Sequence, residues 1–265
     1  MFPFARIFGH DTDYPPLFTT LPPILVCSGF FAASALLTHL YVKRNGPIPF
    51  ATPLRTLNNT LYALFSFYFA IQLTLSVYSW ARLASFRYPS GLEVARSLLT
   101  ETLPGRSDMR LRYIYHISKF YEFIDIILMI ATGGDVGLMF GFHHMTTPYL
   151  TYARCIYYPP GWQPFAILNT FHHGIMYARW AGISSLIAIL PYTAMLQLGG
   201  GVLVEAIVIL LRLNPNGFAF RDNDWPALWP NVLAGGLLAT YLVLLFDEIK
   251  ESIAKRSGKE EKKKV

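Results

Sequence analysis

Long apolar runs dominate the chain and recur at intervals that suit membrane-spanning helices. A helix needs about 20 predominantly apolar residues to cross the hydrocarbon core of a bilayer. Runs of this kind predict seven helices, over residues 22–43, 57–83, 112–132, 136–154, 163–182, 184–212 and 227–249. The sixth run is long enough to need a tilt, a kink at Pro191 or a short re-entrant turn. The predicted fold class is an all-α membrane protein, a seven-transmembrane-helix bundle.

These segments leave only short loops, so the sequence predicts one membrane domain over 22–249. A separate N-terminal segment is expected over 1–21 and a basic tail over 250–265. The N-terminal segment has no basic flank followed by an apolar core, so it lacks the pattern of a cleaved signal peptide. We expect the first span to act as an uncleaved anchor.

The composition agrees with lipid as the surrounding solvent. Charged residues make up only 14% of the chain, whereas a soluble domain has about 25%. Much of the net charge of +6 comes from the tail KRSGKEEKKKV, and nothing in this pattern requires a nucleic-acid partner. The two cysteines, Cys27 and Cys155, lie in or beside predicted spans, so a disulfide framework is not expected.

The basic tail predicts a topology. Loops rich in Lys and Arg favour the cytoplasmic side of a membrane, so the C-terminus is expected there. The loop over 84–111 disagrees with this topology, because seven spans would place it in the lumen although it contains four arginines. We give the tail more weight. Lys262 and Lys263 have the spacing of a dilysine retrieval signal for the endoplasmic reticulum, which a receptor reads. A solvated run of charges is the alternative interpretation.

The first polar cluster within the spans is KFYEFID, residues 119–125. Lys119, Glu122 and Asp125 recur every three residues and therefore form one stripe on a helix, which His116 extends by one step. A lysine between carboxylates neutralises their charge and lowers the cost of burying them. The stripe is either a structural ion pair at a helix interface or the lining of a site for a charged substrate.

The second cluster is the adjacent pair His143 and His144. Thr146 and Thr147 follow, and then Pro148, whose ring cannot continue the helical hydrogen bonds and is expected to bend this helix. A single histidine within a span is often a hydrogen-bonded core residue. A pair, with further histidines available on other helices, favours a functional site.

The third cluster is NTFHHGIMYARW, residues 169–180. Asn169, His173 and Tyr177 follow the spacing i, i+4, i+8 and share one helix face, with Met176 beside them. An amide, an imidazole and a phenol would form a hydrogen-bonded ladder there. His172 points about 100° away from that face, which indicates a structural histidine.

A weaker signal lies in TAMLQLGGG, residues 193–201. Gln197 is a polar residue in an apolar helix, and Glu205, two turns later, is a candidate buried carboxylate. The glycines are explained equally well by close helix packing.

Histidines in membrane enzymes raise the possibility of a metal centre. His10 and His39 lie outside the clusters, however, and no H-x-x-x-H pair exists. Four imidazoles could bind zinc, but nothing in the spacing fixes their geometry. Imidazoles also act as bases or nucleophiles, which needs two of them to face one cavity. The sequence favours this metal-free chemistry.

Taken together, these motifs resemble those of the ELO family, the membrane fatty-acid elongases of the endoplasmic reticulum. Four features appear in the family's order. They are Lys119, Glu122 and Asp125 of a K-x-x-E-x-x-D box; His143 and His144, with the following TTP, of an H-x-x-H-H-x-x-T box; Asn169, His173, Met176 and Tyr177 of N-x-x-x-H-x-x-M-Y; and Gln197 of a late T-x-x-Q-x-x-Q box.

The chain departs from the family pattern in three places. Phe140 replaces the first histidine of the H-x-x-H-H box. Thr193 lies four residues before Gln197 instead of three, and Gly200 occupies the second glutamine position. The sequence ATGGD stands where a basic run usually follows the acidic box. The chain therefore resembles a divergent member.

The resemblance implies a very-long-chain 3-oxoacyl-CoA synthase whose helices enclose an acyl-chain tunnel. Its substrates would be acyl-CoA and malonyl-CoA, and its products a 3-oxoacyl-CoA two carbons longer, CO₂ and CoA, with no metal or other cofactor. The expected surroundings are the endoplasmic reticulum membrane and the other enzymes of the elongation cycle.

The resemblance also implies roles for individual residues. His143 or His144, with His143 preferred, would take the acyl group or activate its transfer, and His173 would assist decarboxylation or proton transfer. The remaining box residues would orient these imidazoles or shape a polar entrance. A catalytically impaired relative that binds or scaffolds lipid is the alternative, and a transporter or receptor is a weaker one.

Overall fold

The computed structural model describes residues 17–101, 106–213 and 228–261, and all regular structure in these ranges is helical. The ranges contain eight α-helices. They are α1 (Leu21–Asn45), α2 (Ala51–Ser85), α3 (Gly91–Thr100), α4 (Arg106–Ala131), α5 (Leu138–Tyr157), α6 (Trp162–Trp180), α7 (Leu190–Leu213) and α8 (Trp229–Glu261), with a 3₁₀ turn over Ser184–Ala188 between α6 and α7. Lys262 and Lys263, and with them the predicted dilysine signal, lie outside the described residues.

The prediction of an all-α membrane protein is confirmed. Helices α1, α2, α7 and the first part of α8, Trp229–Glu251, are long and apolar enough to cross a bilayer. Helices α4, α5 and α6, which carry the three polar clusters, are not among the helices of the described residues that meet this standard. Each of them overlaps a predicted segment, but the count of seven spans stays a prediction.

The loop over 84–111 contains a short helix that the apolar pattern did not predict. The side chain of Ser90 accepts a hydrogen bond from the Glu93 backbone N–H, and the Glu93 carboxylate accepts one from the Ser90 N–H. This reciprocal capping box satisfies two of the free N–H groups at the start of a helix. Helix α3 is thus fixed by local capping rather than by a long apolar stripe.

The predicted segment over 184–212 is not continuous. A 3₁₀ turn precedes α7, which begins at Leu190. The alternative of a kink at Pro191 is wrong, because this proline is the second residue of α7, where a helix needs no N–H donor. The chain changes direction before the proline.

The helix contacts close a ring. Around it, α2 packs on α6, α6 on α7, α7 on α8, α8 on α5, α5 on α4, and α4 on α2. Helix α1 lies outside this ring against α4, where the rings of Phe31 and Phe123 stack at 4.1 Å between centroids. The inner surfaces of α4, α5 and α6 therefore face one another, which brings the three polar clusters together.

The C-terminal end of α8 lies on one face of the ring of helices. Helices α1, α4, α6 and α8 end there, and α2, α5 and α7 begin there. The loop before α2 is joined to the end of α4 by the hydrogen bond from Ile48 N–H to the Ala131 carbonyl, 2.8 Å. We call this side the tail face. His143, the sixth residue of α5, places the histidine pair close to it.

Candidate active site

Glu122 is the centre of a buried polar cluster. Its carboxylate is 0% exposed. One oxygen, Oε1, accepts hydrogen bonds from Lys119 Nζ and from the Tyr62 hydroxyl, each at 2.6 Å. The same oxygen lies 3.3 Å from His173 Nδ1. Groups from α2, α4 and α6 therefore converge on a single carboxylate oxygen, and the ammonium group balances its charge.

Asn169 links this carboxylate group to α7. Its Oδ1 accepts hydrogen bonds from the Tyr115 hydroxyl at 2.7 Å and from Lys119 Nζ at 3.2 Å. The side-chain nitrogen of Asn169, Nδ2, is then the donor of this amide. It donates to Gln197 Oε1 at 3.0 Å and lies 3.2 Å from His173 Nε2. Side chains from three helices, α4, α6 and α7, thus fix the orientation of one amide.

These contacts define the tautomer of His173. Nδ1 faces an acceptor-only carboxylate, that of Glu122, so it carries the proton. Nε2 faces an amide donor, that of Asn169, so it offers its lone pair. The imidazole is held at both nitrogens, as a positioned acid or base requires.

The other two imidazoles lie beside this group with unused nitrogens. The ring centroid of His143 is 5.4 Å from that of His144 and 6.4 Å from that of His173. Nδ1 of His143 and Nδ1 of His144 are buried and have no hydrogen-bond partner, and the second lies 3.7 Å from Glu122 Oε2. A buried polar atom left without a partner is costly. Such atoms are consistent with groups that meet a substrate.

A small cavity lies between these helices. It is about 10 Å³ in volume and is lined, among others, by Lys119, His143, Thr147, Asn169 and Tyr241. The hydroxyl of Thr147 is buried and has no hydrogen-bond partner. A cavity of this size has room for about one water molecule. The acyl-chain tunnel therefore stays a prediction.

The other residues of the boxes lie at the edge of the cluster. Asp125 accepts a hydrogen bond from the Tyr177 hydroxyl at 2.8 Å, so its partner is a phenol and not the lysine of its own stripe. Met176 is partly buried and packs against Tyr62, Ala63 and Tyr177 in an apolar cluster. The structure thus brings Lys119 and Glu122 next to the histidines, whereas Asp125 is hydrogen-bonded to Tyr177 at the edge of the cluster.

Phe140 occupies a position beside the histidine pair. Its ring lies 4.3 Å from the ring of His144 and 5.7 Å from that of Trp180, both in edge-to-face contact. An apolar ring therefore covers His144 where the family box has an imidazole. Phe140 touches this histidine and not His143 or His173 in the ring contacts of the structure.

Two further histidines have partners outside the cluster. His172 Nδ1 lies 2.9 Å from the Thr193 hydroxyl. His116 contacts the Thr151 hydroxyl at 2.8 Å and the Phe18 carbonyl at 2.9 Å. Both nitrogens of His116 are engaged, and the second contact ties the chain before α1 to α4. These geometries suit structural histidines.

The donor set of the cluster also has the composition of a metal site. One ligand atom each from Glu122, His143 and His173 lies within 4.8 Å of the other two, and all three residues are buried. These residues could hold a metal ion. The ammonium group of Lys119, 2.6 Å from the same carboxylate, already supplies the positive charge that a cation would bring.

Sequence reasoning missed two tyrosines of this site. Tyr115 precedes Lys119 by four residues and Glu122 by seven, so helical spacing places all three on one face and could have revealed it. Tyr62 lies in an apolar run rich in aromatic residues, and no pattern distinguishes it. Its role depends on the packing of α2 against α4.

A second buried network lies toward the opposite face. Arg112 Nε is 2.7 Å from Asp108 Oδ2, and Arg154 pairs with Glu205. Asn231 Nδ2 donates to the other Glu205 oxygen at 2.8 Å. Glu205 is 0% exposed, as expected of a candidate buried carboxylate. This network joins α4, α5, α7 and α8 at the ends away from the histidines.

Apart from Tyr62, the residues that converge on Glu122 are those of the motif boxes, and a family comparison covers nearly the whole chain. The model of the family described as GNS1/SUR4, ELO, matches residues 16–246. The chain belongs to the ELO family. Membership supports a fatty-acid-elongase type of function for this multi-pass membrane protein. No curated protein matches the chain in sequence.

Proposed function

We propose that this ELO protein condenses a long-chain acyl-CoA with malonyl-CoA to give a 3-oxoacyl-CoA, CO₂ and CoA. One observation carries the proposal: a ring nitrogen of His143, a ring nitrogen of His173 and a carboxylate oxygen of Glu122 lie within 4.8 Å of one another in a buried cluster. Imidazoles that converge in this way can divide an acyl transfer into two easier steps.

The first step is transfer of the acyl group to the enzyme. The free Nδ1 of His143 attacks the thioester carbonyl carbon, and the carbon–sulfur bond breaks. The CoA sulfur leaves with the proton of the imidazole, which gives free CoA and an acyl-imidazole. Lys119 lines the cavity beside His143, and two of its three N–H groups serve Glu122 and Asn169, so the third is available to stabilise negative charge on the carbonyl oxygen.

The second step uses malonyl-CoA. Its carboxylate leaves as CO₂, and the electron pair of the broken carbon–carbon bond becomes an enolate. The enolate carbon attacks the acyl carbon, the bond to His143 breaks, and the imidazole recovers a proton. His173, held by Glu122 and Asn169, assists the decarboxylation or supplies that proton.

The proposed reaction also implies a compartment and an orientation in the membrane. We propose that the protein works in the endoplasmic reticulum membrane with its tail in the cytoplasm, alongside the other enzymes of the elongation cycle. The histidine pair lies near the tail face, where a CoA group would remain in water while the acyl chain enters the bundle.

The test uses purified protein in lipid nanodiscs with acyl-CoA and carboxyl-labelled malonyl-CoA. We expect labelled CO₂ that depends on acyl-CoA, together with a product two carbons longer. His143→Ala and His173→Ala should abolish both. His39→Ala is the matched control, because His39 is exposed on α1, outside the ring of helices.

A second candidate function has one observation in its favour. Phe140 replaces a box histidine and covers His144, which favours a relative that binds acyl-CoA without turning it over. Binding of acyl-CoA with no release of labelled CO₂ would support this scaffold function and contradict the condensation.

A further inference from the structure

We propose that Tyr62 is a positioning residue of this site, one that holds the Glu122 carboxylate against His173. It thereby fixes the tautomer and the direction of that imidazole. The inference rests on the proposed condensation, in which His173 serves the second step. Tyr62 belongs to α2, outside the four helices, α4 to α7, that carry the motif boxes.

The hydrogen bonding of the carboxylate is asymmetric. Oε1 of Glu122 receives the Tyr62 hydroxyl and the Lys119 ammonium group, each at 2.6 Å, and faces His173 at 3.3 Å. Oε2 has no hydrogen bond, and Nδ1 of His144 lies 3.7 Å from it. Tyr62 is the donor from outside α4 that keeps Oε1 toward His173. Without it, rotation of the carboxylate toward His144 becomes competitive.

The ring of Tyr62 is itself held in place. It lies 4.4 Å from the Tyr177 ring in edge contact and 5.3 Å from the Tyr121 ring in stacked contact. Only 5% of Tyr62 is exposed. A side chain locked by packing presents its hydroxyl in one direction without losing further entropy. The hydroxyl is therefore preorganised for the carboxylate.

Tyr62 also separates the cluster from an apolar groove. The groove lies between α2 and α4, has a volume of about 430 Å³, and is lined by Leu61, Phe65 and Ile117 among others. The ring of Tyr62 forms part of its wall, while the hydroxyl points to Glu122. Shielding from polar surroundings strengthens the hydrogen bond.

Tyr62 acts through another residue and not on the substrate. It is not among the residues that line the cavity beside His143, and its hydroxyl is engaged by Glu122. Loss of the Tyr62 hydroxyl should therefore slow the second step, which His173 serves, and leave the first step, which His143 serves, unchanged.

The kinetic test is Tyr62→Phe, which removes the hydroxyl and keeps the ring. Loss of a hydrogen bond to a charged group should slow CO₂ release about tenfold to a hundredfold. Release of CoA from acyl-CoA alone, and the KM for acyl-CoA, should stay at the wild-type values. A structural role would instead lower both steps together with the unfolding temperature, and that result would overturn the proposal.

Tyr121→Phe is the matched control. Tyr121 stacks on Tyr62, and its hydroxyl donates to Asn58 Oδ1 at 2.7 Å. The variant removes a phenol hydroxyl from the same aromatic stack without touching Glu122. It should leave both steps unchanged, and a loss equal to that of Tyr62→Phe would contradict a specific role for the carboxylate contact.

A second readout does not depend on turnover. Nitrogen NMR of protein with isotope-labelled histidine, assigned with His173→Ala, reports which ring nitrogen of His173 carries the proton. We expect the Nδ1–H tautomer in the wild type and a mixture in Tyr62→Phe. This change in a protein that releases no CO₂ would support the positioning role and reject only the condensation. An unchanged tautomer in Tyr62→Phe would refute the positioning role.

Discussion

At the scale of single residues, the site depends on the pair formed by Glu122 and Lys119. Both side chains are buried, and each provides the charge that makes burial of the other tolerable. Glu122→Gln should therefore lower the free energy of unfolding by about 3–5 kcal/mol, because it leaves an ammonium group buried without a counter-ion. Thermal unfolding in detergent measures this effect.

The double variant Lys119→Met with Glu122→Gln separates stability from function. It removes both charges and should regain much of the lost stability, since an apolar replacement of a buried pair is often neutral. Neither Glu122→Gln nor the double variant should catalyse the condensation. If Glu122→Gln unfolded at the wild-type temperature, the pair would not be the buried ion pair described above.

Phe140 gives a second prediction at this scale. The ring contacts His144 and not the two histidines given reacting roles. Phe140→His should therefore change the rate of CO₂ release less than His143→Ala or His173→Ala does, in the same assay. An inactive wild type together with an active Phe140→His variant would show that the phenyl ring blocks the site, in agreement with the scaffold alternative.

At the scale of the helices, α2, which carries Tyr62, packs on α6 as well as on α4, the helix of Glu122. A Cβ on Gly174 would lie 2.7 Å from Cε1 of the Phe67 ring. Gly174→Ala should force the two helices apart and destabilise the protein by about 1–3 kcal/mol. Gly29→Ala is the control, because no atom lies within 4 Å of a Cβ placed there. Equal unfolding temperatures for the two variants would argue against this close packing.

The helices also show how far sequence patterns reach. Apolar runs and three-residue or four-residue spacing predicted the all-α class, the stripe of Lys119 and Glu122, and the shared face of Asn169 and His173. They missed α3, which is short and fixed by local capping. They also missed Tyr62, because its partner Glu122 is 60 positions away along the chain and only the packing of two helices reveals the contact.

At the scale of the whole molecule, the ring of helices places the histidines near the tail face, and the tail is predicted to be cytoplasmic. Lys262 and Lys263 are predicted to act as a retrieval signal for the endoplasmic reticulum. Replacing both with serine should shift a fluorescent fusion from the endoplasmic reticulum to later compartments of the secretory route. An unchanged distribution would favour the interpretation of these lysines as a solvated charge run.

The proposed mechanism requires that His143 carries the acyl group between two partial reactions. Intact-protein mass spectrometry after brief exposure to acyl-CoA alone, with no malonyl-CoA, tests this requirement. We predict a single adduct of the mass of the acyl group, localised to His143, removed by malonyl-CoA and missing from His143→Ala. Free CoA without an adduct, or an adduct that persists in His143→Ala, would contradict the proposed mechanism.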